Sequence, residues 1–442
     1  MASTNPQKHD TQTPLGGDDR IAIVEGARTP FAKAWTEFKD WNEADLGRVA
    51  VRELVERSEV DPELIDDLVM GCVSAPMNGP NVAREVVLRT PLPRTIPAYT
   101  VQMYCASSAL SAVNAAGDLM MGGADVAIAA GVESTSASQA RVSLPLTQAL
   151  NEVSKAKSPI EMLQAFKDVD PKDLLPDIPA IAEPTTGERM GNSGEKMAKK
   201  YGISQRDQDE YAAMSHHRAA EAFEEGRFPE VVPVTIGPDH EEPVERDPMI
   251  RPDTSAEQMA GLSPAFDKEH GSITAGNASP LTDGAAAVMM MRESTARELG
   301  IEPKAYIRSW ATTGVDLFEM PMLMGPTFAT PKALARGGVE LEDMDLVEMH
   351  EAFAAQILAN VRVWESDELC RELGLEGAIG DVDMDIFNIN GGSIPIGHPF
   401  GATGARMIMQ LAGQMERRDE SLGLLTLCAA GGLGLSMVLE RG

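Results

Sequence analysis

The 442-residue sequence predicts an α/β fold in which helices cover a central sheet. Short apolar segments bounded by glycine, such as I-A-I-V from Ile21 and D-V-A-I-A-A-G from Asp125, are typical of buried strands. Segments with helical periodicity lie between them, for example A-D-L-G-R-V-A-V-R-E-L-V-E-R from Ala44. Because strands and helices alternate, we expect helices on both faces of the sheet.

Two parts of the sequence repeat the same order of elements. P-E-L-I-D-D-L-V-M-G-C-V-S-A starts at Pro62, and V-E-L-E-D-M-D-L-V-E-M-H-E-A-F-A starts at Val339. In each part a helix end and an acidic turn precede an apolar strand, and a polar residue follows on a loop. A chance match between two α/β patterns is the alternative. A duplication predicts two similar halves that supply loops from corresponding strand ends.

The region between about Ser134 and Pro264 differs from both halves, because it is rich in charge, proline and amphipathic helix. Within it, the segment that begins at Lys157 mixes apolar side chains with helix breakers, which indicates a surface lid or contact element, or only a connecting loop. The predicted organisation is a flexible tail at 1–19, a first half at 20–133 and 265–296, an inserted loop subdomain at 134–264, and a second half at 297–442.

Composition excludes some functions. The formal net charge is −30, from 68 acidic and 38 basic side chains, which argues against nucleic acid as a partner because phosphate binding needs a basic surface. No apolar run reaches the roughly 18–20 residues that span a bilayer. The first 20 residues are polar and lack a hydrophobic signal core. We therefore expect a cytoplasmic protein without a transmembrane segment.

The four cysteines are too few and too scattered for a disulfide framework, and none forms a C-x-x-C pair with metal-binding spacing. Free thiols in a reducing compartment fit this pattern best. Cys72 and Cys370 lie in no recognisable motif, and we expect them to be packing residues.

Three loops carry candidate catalytic residues. Cys105, in V-Q-M-Y-C-A-S-S, lies at the first turn of a predicted helix, where the partial positive charge of the helix N-terminus favours a thiolate. His398 lies in the glycine-rich loop N-G-G-S-I-P-I-G-H-P-F-G-A-T-G, and Cys428 opens C-A-A-G-G-L-G after an apolar strand. Taken singly, each has a structural alternative: a buried hydrophobe, a structural loop histidine, or a tight turn.

Together the three residues form a chemically specific set. An imidazole can remove the proton of a nucleophilic thiol, so His398 can activate Cys105. A second cysteine can move a proton to or from carbon, because the pKa of a thiol can be tuned close to neutrality. Backbone N–H groups next to Cys428 can hold a developing oxyanion.

These motifs resemble those of the thiolase family. The resemblance includes the nucleophile loop V-Q-M-Y-C-A-S-S, the oxyanion-hole loop H-E-A-F-A-A, the histidine loop and the second-cysteine loop, together with I-V-E-G-A-R-T-P-F and I-T-A-G-N-A-S-P-L-T-D-G-A-A-A. The motifs follow one another in order between Arg20 and Arg441. The resemblance implies a duplicated fold of two βαβαβαββ halves stacked in five layers, αβαβα, with an inserted loop subdomain.

The resemblance also implies a role for each residue. Cys105 would carry the acyl group as a thioester, His398 would activate it, and Cys428 would exchange a proton with carbon. His350 and His398 would line one oxyanion site, and the backbone N–H groups of Cys105 and Ala430 the other. Ser279 would contact the pantetheine arm of coenzyme A. The alternatives are that Ser279 only caps a turn and that His350 only anchors its loop.

Two departures from the common family pattern indicate a subgroup. His350 replaces a frequent asparagine in the H-E-A-F motif, and the residues after Cys428 begin with Ala429-Ala430 rather than with glycine. Both variants resemble the thiolase subunit of multifunctional fatty-acid β-oxidation complexes. That subgroup implies long or medium acyl chains and a hydratase/dehydrogenase partner subunit.

The expected reaction is CoA-dependent thiolysis of a 3-oxoacyl-CoA to acetyl-CoA and a shortened acyl-CoA, with no metal and no redox cofactor. A homodimer or a dimer of dimers is implied by the resemblance. The alternatives are a biosynthetic acetoacetyl-CoA thiolase, a decarboxylating condensing enzyme of the ketoacyl synthase type, and a non-catalytic lipid carrier. Cys428 argues against the condensing enzyme, which has no second catalytic cysteine, and the presence of both Cys105 and His398 argues against the carrier.

Overall fold

The computed structural model describes residues 19–140, 142–175, 182–237 and 242–442. Of the tail predicted for 1–19, residues 1–18 lie outside these described residues. The strands are β1 (Ile21–Arg28), β2 (Ala32–Lys33), β3 (Asp67–Gly71), β4 (Ala98–Val101), β5 (Val126–Glu133), β6 (Thr282–Arg292), β7 (Ala305–Gly314), β8 (Leu346–Met349), β9 (Leu422–Ala429) and β10 (Leu433–Glu440).

The helices alternate with these strands. They are α1 (Glu43–Ser58), α2 (Val82–Val87), α3 (Ser107–Met121), α4 (Leu144–Lys155), α5 (Pro159–Gln164), α6 (Met190–Lys200), α7 (Gln205–Glu224), α8 (Ala256–Met259), α9 (Glu293–Leu299), α10 (Gly325–Gly337), α11 (Ala354–Trp364), α12 (Asp367–Glu372), α13 (Ser393–Ile396) and α14 (Thr403–Arg418).

The strand order confirms the internal duplication. The first half runs β1-β6-β5-β3-β4 and the second runs β7-β10-β9-β8, each read from the shared edge outward. In both halves the first three strands pair antiparallel, and the next pair, β5 with β3 or β9 with β8, is parallel. Phe387 forms a parallel bridge to Val347 of β8, at the place that β4 occupies in the first half.

The two sheets are joined into one. Residues 21–23 of β1 pair antiparallel with residues 305–307 of β7. Helices α1 and α2 pack on the first half, α3 and α14 lie between the halves, and α10 packs on β7, β9 and β10 of the second half. The predicted layer order αβαβα is therefore confirmed, with one short pairing that links the two β layers.

Small side chains allow the two central helices to approach closely. Ala109, Ala112 and Ala116 of α3 are fully buried, and a Cβ added at Gly404 of α14 would lie 2.4 Å from the backbone nitrogen of Ala109. The hydroxyl of Ser108 accepts a hydrogen bond of 2.9 Å from the Ala405 N–H. The N-terminal ends of α3 and α14 are consequently held side by side, and these ends carry the two main candidate loops.

The chain divides into two compact units, one formed by residues 138–182 and the other by the rest of the chain. The smaller unit contains α4, α5 and a 3-10 turn at Pro171–Leu174, and it exposes large apolar side chains, among them Leu144, Ile160 and Leu163. Helices α6 and α7 belong to the larger unit. Only part of the predicted insertion thus separates as a unit, and a subdomain over 134–264 stays a prediction.

Candidate active site

Cys105 lies at the predicted place, in a 3-10 turn (Tyr104–Ala106) that leads directly into α3. Tyr104 adopts a left-handed conformation with a φ of 48°. The hydroxyl of Ser107 donates to the Tyr104 carbonyl at 2.6 Å and accepts from the Met103 N–H at 2.9 Å. These two bonds hold the tight turn, which presents the nucleophile ahead of the helix.

The Cys105 thiol is protonated at rest. Burial raises its pKa to about 12, although the backbone N–H groups of Ala430 and of Cys105 itself act in the opposite direction. The sequence predicted that the helix N-terminus would favour a thiolate, but desolvation outweighs it here. Cys105 therefore needs a base that removes its proton as it attacks.

His398 has the geometry of that base. It lies between α13 and α14, and its side chain is almost fully buried. Its Nδ1 is 2.7 Å from the Thr403 hydroxyl oxygen, and that hydroxyl donates its single proton to the Pro399 carbonyl at 3.1 Å. We therefore assign the imidazole proton to Nδ1, which leaves a lone pair on Nε2. Burial lowers the pKa of His398 to about 3, so the ring is neutral.

His350 has the opposite tautomer. Its Nδ1 is 2.9 Å from the Ser393 hydroxyl oxygen, which also accepts a hydrogen bond of 3.2 Å from the Arg406 guanidinium. Within the described residues the Ser393 hydroxyl has no acceptor other than His350, so it donates to Nδ1 and the ring proton lies on Nε2. Burial, and then His398, lower the pKa of His350 well below its usual value. His350 is therefore a neutral donor.

The predicted residues meet in one place. The Cys105 sulfur and one ring nitrogen from each of His350 and His398 all lie within 4.8 Å of one another. The two rings are 4.1 Å apart between centroids, and neither Nε2 has a hydrogen-bond partner among the described residues. The lone pair on His398 Nε2 and the Nε2–H of His350 are thus both buried close to the Cys105 sulfur.

Cys428 joins this group from the end of β9. It is fully buried, and burial together with the nearby Cys105 raises the pKa of its thiol well above the usual value. The Ala430 N–H, two residues farther on, approaches the Cys105 sulfur closely enough to lower the pKa of that thiol. The structure therefore brings Cys105, His350, His398, Cys428 and the Ala430 N–H together.

Glu351 supports this arrangement, and the sequence analysis missed it. Its buried carboxylate accepts hydrogen bonds of 2.9 to 3.0 Å from four donors: the Tyr211 hydroxyl, the Ser215 hydroxyl (at 2.9 Å from both oxygens), the Asn388 side chain and the Ile394 N–H. Its position directly after His350 in H-E-A-F was the available signal. Its donors come from α7 and from the 388–394 segment, more than 30 residues away in the sequence, so only the fold shows its role.

The glycine next to Ser393 explains how closely that loop packs. A Cβ added at Gly392 would lie 2.4 Å from the carboxyl carbon of Glu351. Because only glycine leaves room for this carboxylate, the loop can bring Ser393 within hydrogen-bond distance of His350.

Glu133 is a second residue that the sequence analysis missed. It lies at the end of β5, where its buried carboxylate accepts hydrogen bonds from the N–H groups of Val73 (3.1 Å), Ser74 (2.8 Å) and Gly401 (2.9 Å). These bonds tie the strand ends of the first half to the loop that carries His398. The signal in the sequence was an acidic residue at the end of an entirely buried strand.

Ser279, for which a contact with pantetheine is predicted, bonds to the loop that follows His350. Its hydroxyl donates to the Ala352 carbonyl at 3.1 Å, and its N–H donates to the same oxygen at 3.1 Å. This bond fastens the segment to the loop that follows His350. A cavity of about 490 Å³ adjoins it, lined by the neighbours Ala278 and Pro280 and by Arg251. The contact with pantetheine stays a prediction.

Cys72 and Cys370 are both buried, as expected for packing residues. The Cys370 thiol donates to the Val363 carbonyl at 3.0 Å, and all four cysteines are free thiols. No helix in the described part of the chain has the length and apolar character to cross a bilayer.

Comparison with known proteins identifies the family. Residues 21–294 match the family described as thiolase, N-terminal domain, and residues 301–441 match the thiolase C-terminal domain. The chain belongs to the thiolase family. Among its relatives, the 3-ketoacyl-CoA thiolase of Yersinia enterocolitica is 50% identical over 423 residues, which are 96% of this chain and 97% of that protein. That of Yersinia pestis is 49% identical over the same length, with the same coverage.

Solved structures give the same result. Human mitochondrial 3-ketoacyl-CoA thiolase superposes with a TM-score of 0.81 at 29% identity, covering 96% of this chain and 99% of that chain. The acetyl-CoA acetyltransferase of Bacillus anthracis superposes with a TM-score of 0.80 at 31% identity, covering 96% and 98%. The predicted thiolase fold is thus confirmed.

Proposed function

We propose that this chain is a 3-ketoacyl-CoA thiolase, an acyltransferase that cleaves a 3-oxoacyl-CoA with CoA through a cysteine acyl-enzyme. One observation carries the proposal: the Cys105 sulfur and the imidazoles of His350 and His398 lie within 4.8 Å of one another, with Cys428 beside them. This reaction needs four groups: a nucleophile, a base, a hydrogen-bond donor and a second thiol.

The reaction begins at Cys105. His398 Nε2 takes the thiol proton while the sulfur attacks the 3-oxo carbon of the substrate. The oxygen on that carbon becomes negative next to the sulfur, where the N–H groups of Cys105 and Ala430 already approach. We assign them to this first oxyanion.

The C2–C3 bond then breaks, and the acyl group remains on Cys105 as a thioester. The departing fragment is the enolate of acetyl-CoA. Its oxygen is stabilised by the Nε2–H of His350 and by the proton that His398 has just gained. Cys428 gives its proton to C2, which completes acetyl-CoA and leaves Cys428 as a thiolate.

In the second half-reaction a new CoA thiol gives its proton to the Cys428 thiolate and attacks the thioester. The Cys105 sulfur leaves and takes the proton back from His398. All groups return to their resting state, so the scheme balances without a metal or a redox cofactor. Double-displacement kinetics follow from the covalent intermediate.

We place the CoA in the cavity next to Ser279, because a cationic group lies there. Arg251 lines this cavity, and its backbone N–H donates to His216 Nδ1 at 3.2 Å. A guanidinium is suited to bind the phosphates of CoA, while the arm passes Ser279 toward Cys105. Replacing Arg251 with alanine would raise the KM for CoA with a small change in kcat, and an unchanged KM would exclude this placement.

The test of the function is CoA-dependent turnover: the purified chain should convert 3-oxoacyl-CoA and CoA continuously to acetyl-CoA and a shortened acyl-CoA, whereas 3-oxoacyl-CoA alone should give acetyl-CoA only in the amount that acylates Cys105. Comparison of kcat/KM for C4 and C16 3-oxoacyl-CoA separates a β-oxidation enzyme from the alternative, an acetoacetyl-CoA thiolase. We expect the C16 substrate to be preferred, and Cys105→Ala to abolish turnover. Normal activity in Cys105→Ala would exclude the mechanism.

The ketoacyl synthase alternative predicts CO2 release from malonyl thioesters instead of acetyl-CoA release. Cys428, buried next to Cys105, supports the thiolase reaction because decarboxylation supplies the carbanion without a proton-transferring thiol.

We further propose a homodimer or dimer of dimers in the cytoplasm, with a hydratase/dehydrogenase subunit as partner. The similarity to named thiolases and the four free thiols support this proposal. Light scattering of the purified chain, and co-purification of an enoyl-CoA hydratase activity from the native cell, would test it. A monomeric mass, or a tagged chain recovered without that activity, would contradict it.

A further inference from the structure

The group around Cys105 has a second chemical property, which its role in thiolysis does not require. A thiol sulfur and two imidazole nitrogens from Cys105, His350 and His398 lie within 4.8 Å of one another. The Nδ1 atoms of both histidines are held by hydroxyls, so the nitrogens that face the group are the Nε2 atoms. Neither Nε2 has a partner within the described ranges, and both side chains are more than nine-tenths buried.

We propose that Cys105, His350 and His398 form an inhibitory site for Zn²⁺. This inference rests on the proposed function, because inhibition follows from occupation of the nucleophile and the base. One thiolate and two imidazoles with an open fourth position are a ligand set that Zn²⁺ prefers. The open position accepts water or the thiol of CoA.

The distances are compatible with such a site. Bonds of roughly 2.3 Å from zinc to sulfur and 2.0–2.1 Å to nitrogen place tetrahedral ligands roughly 3.3–3.6 Å apart. The present separations of at most 4.8 Å need only small side-chain rotations to reach these values.

Zinc binding also requires two proton movements. The Cys105 thiol releases its proton to solvent and binds as a thiolate. The ring proton of His350 moves from Nε2 to Nδ1, and Ser393 then accepts from Nδ1 instead of donating to it. The Arg406 guanidinium, which donates to Ser393, opposes a further cation, but Glu348 lies 3.6 Å from it and offsets part of its charge.

His350 makes this site specific to the H-E-A-F variant. An asparagine, the residue often found at this position in the family, would leave only the sulfur and one imidazole. Zinc affinity should therefore depend on His350, which gives a test that uses His350→Asn.

The experiment uses the purified full chain after removal of metals, titrated with Co²⁺ as a spectroscopic substitute for Zn²⁺. We expect one cobalt per chain, with the visible bands of a tetrahedral ion and a near-ultraviolet sulfur-to-cobalt band. Zn²⁺ should displace the cobalt, block alkylation of Cys105 by iodoacetamide, and inhibit thiolysis until a chelator is added.

Two variants and one control decide the interpretation. Cys105→Ala should lose the sulfur-to-cobalt band, and His350→Asn should weaken the metal affinity by about tenfold or more. His270→Asn, which alters a histidine that is 79% exposed, should change nothing. Circular dichroism would verify that each variant is folded.

The inference is overturned if the wild-type chain gives no sulfur-to-cobalt band, or if His350→Asn binds zinc as tightly as the wild type. If the sulfur-to-cobalt band appears in a chain that has no thiolase activity, the proposed function is contradicted but the proposed metal site is not. Activity that zinc does not inhibit would contradict the site alone.

Discussion

In the proposed mechanism the hydroxyl of Thr403 determines which nitrogen of His398 is the base, and Thr403→Val tests this assignment. Valine has nearly the same shape as threonine but cannot accept the Nδ1–H of His398. In the wild type that bond is 2.7 Å long, and the same hydroxyl donates to the Pro399 carbonyl at 3.1 Å. The variant leaves the Nδ1–H of His398 buried without an acceptor.

The size of the effect follows from that unpaired group. A buried donor that loses its acceptor costs about 1–3 kcal/mol. The ring can avoid this cost only by moving its proton to Nε2 or by rotating, and either change removes the base from Cys105. Since about 1.4 kcal/mol corresponds to tenfold in rate, we expect kcat/KM to fall by about 5- to 150-fold.

The assay is acetyl-CoA release from a 3-oxoacyl-CoA, together with the rate at which mass spectrometry detects the acylated Cys105. Thr403→Ser is the matched control, because serine keeps the hydroxyl and should retain most of the activity. The tautomer assignment is refuted if Thr403→Val stays within twofold of the wild type, or if Thr403→Ser loses as much activity as Thr403→Val.

Three other substitutions test separate parts of the site and the fold. Ser393→Ala removes the donor that keeps the proton of His350 on Nε2, so kcat should fall about tenfold; an unchanged kcat would show that His350 is not the oxyanion donor. Cys428→Ala should lower turnover at least about 100-fold while Cys105 is still acylated, as seen by mass spectrometry; loss of acylation would contradict the division of roles. Burial, with smaller effects of Glu133 and Asp283, raises the pKa of Glu43 from 4.5 to about 7. The folded state therefore binds the carboxyl proton of Glu43 more tightly than the unfolded state does, so stability is lost as the pH rises from 4.5 to 7. Glu43→Gln should raise the free energy of unfolding by about 3 kcal/mol at pH 8 and by little at pH 4.5. Urea unfolding at both pH values measures this, and equal effects at the two would refute it.

The sequence predicted which side chains lie together better than it predicted their protonation. Cys105, His398 and Cys428 could be chosen from the sequence because glycine or other small residues surround each of them at the end of a predicted element. We could expect these residues to lie close together because of the duplication, since the loops of the two halves leave corresponding strand ends. Helices α3 and α14 then hold Cys105 and His398 together, and this packing is encoded in the small residues Ala109 and Gly404.

The supporting residues could not be predicted in the same way. Glu351 binds donors that are 37 to 140 residues distant along the chain, and Glu133 binds Gly401 across 268 residues. No local pattern shows which donors a carboxylate will meet when the chain folds. For the same reason the tautomers of His350 and His398 can be assigned only once Ser393 and Thr403 are placed.

The expected thiolate at Cys105 shows which physical effect is stronger in this site. A helix N-terminus favours a thiolate at an exposed position, but its effect is modest, about 0.3–1 kcal/mol at the surface. Burial of a charge costs more than that, and it raises the pKa of Cys105 to about 12.

In the proposed mechanism all catalytic side chains are consequently neutral at rest. The Cys105 and Cys428 thiols keep their protons, and burial lowers the pKa of His398 to about 3. Charge appears only during the reaction, when His398 becomes positive next to the negative oxygen of the substrate. In a buried site these opposite charges stabilise each other more strongly than in water, because the local dielectric is low. If Cys105 and His398 formed an ion pair at rest, this stabilisation would already be present in the ground state and would not lower the barrier. Because the pair is neutral at rest, the stabilisation arises only as the transition state forms.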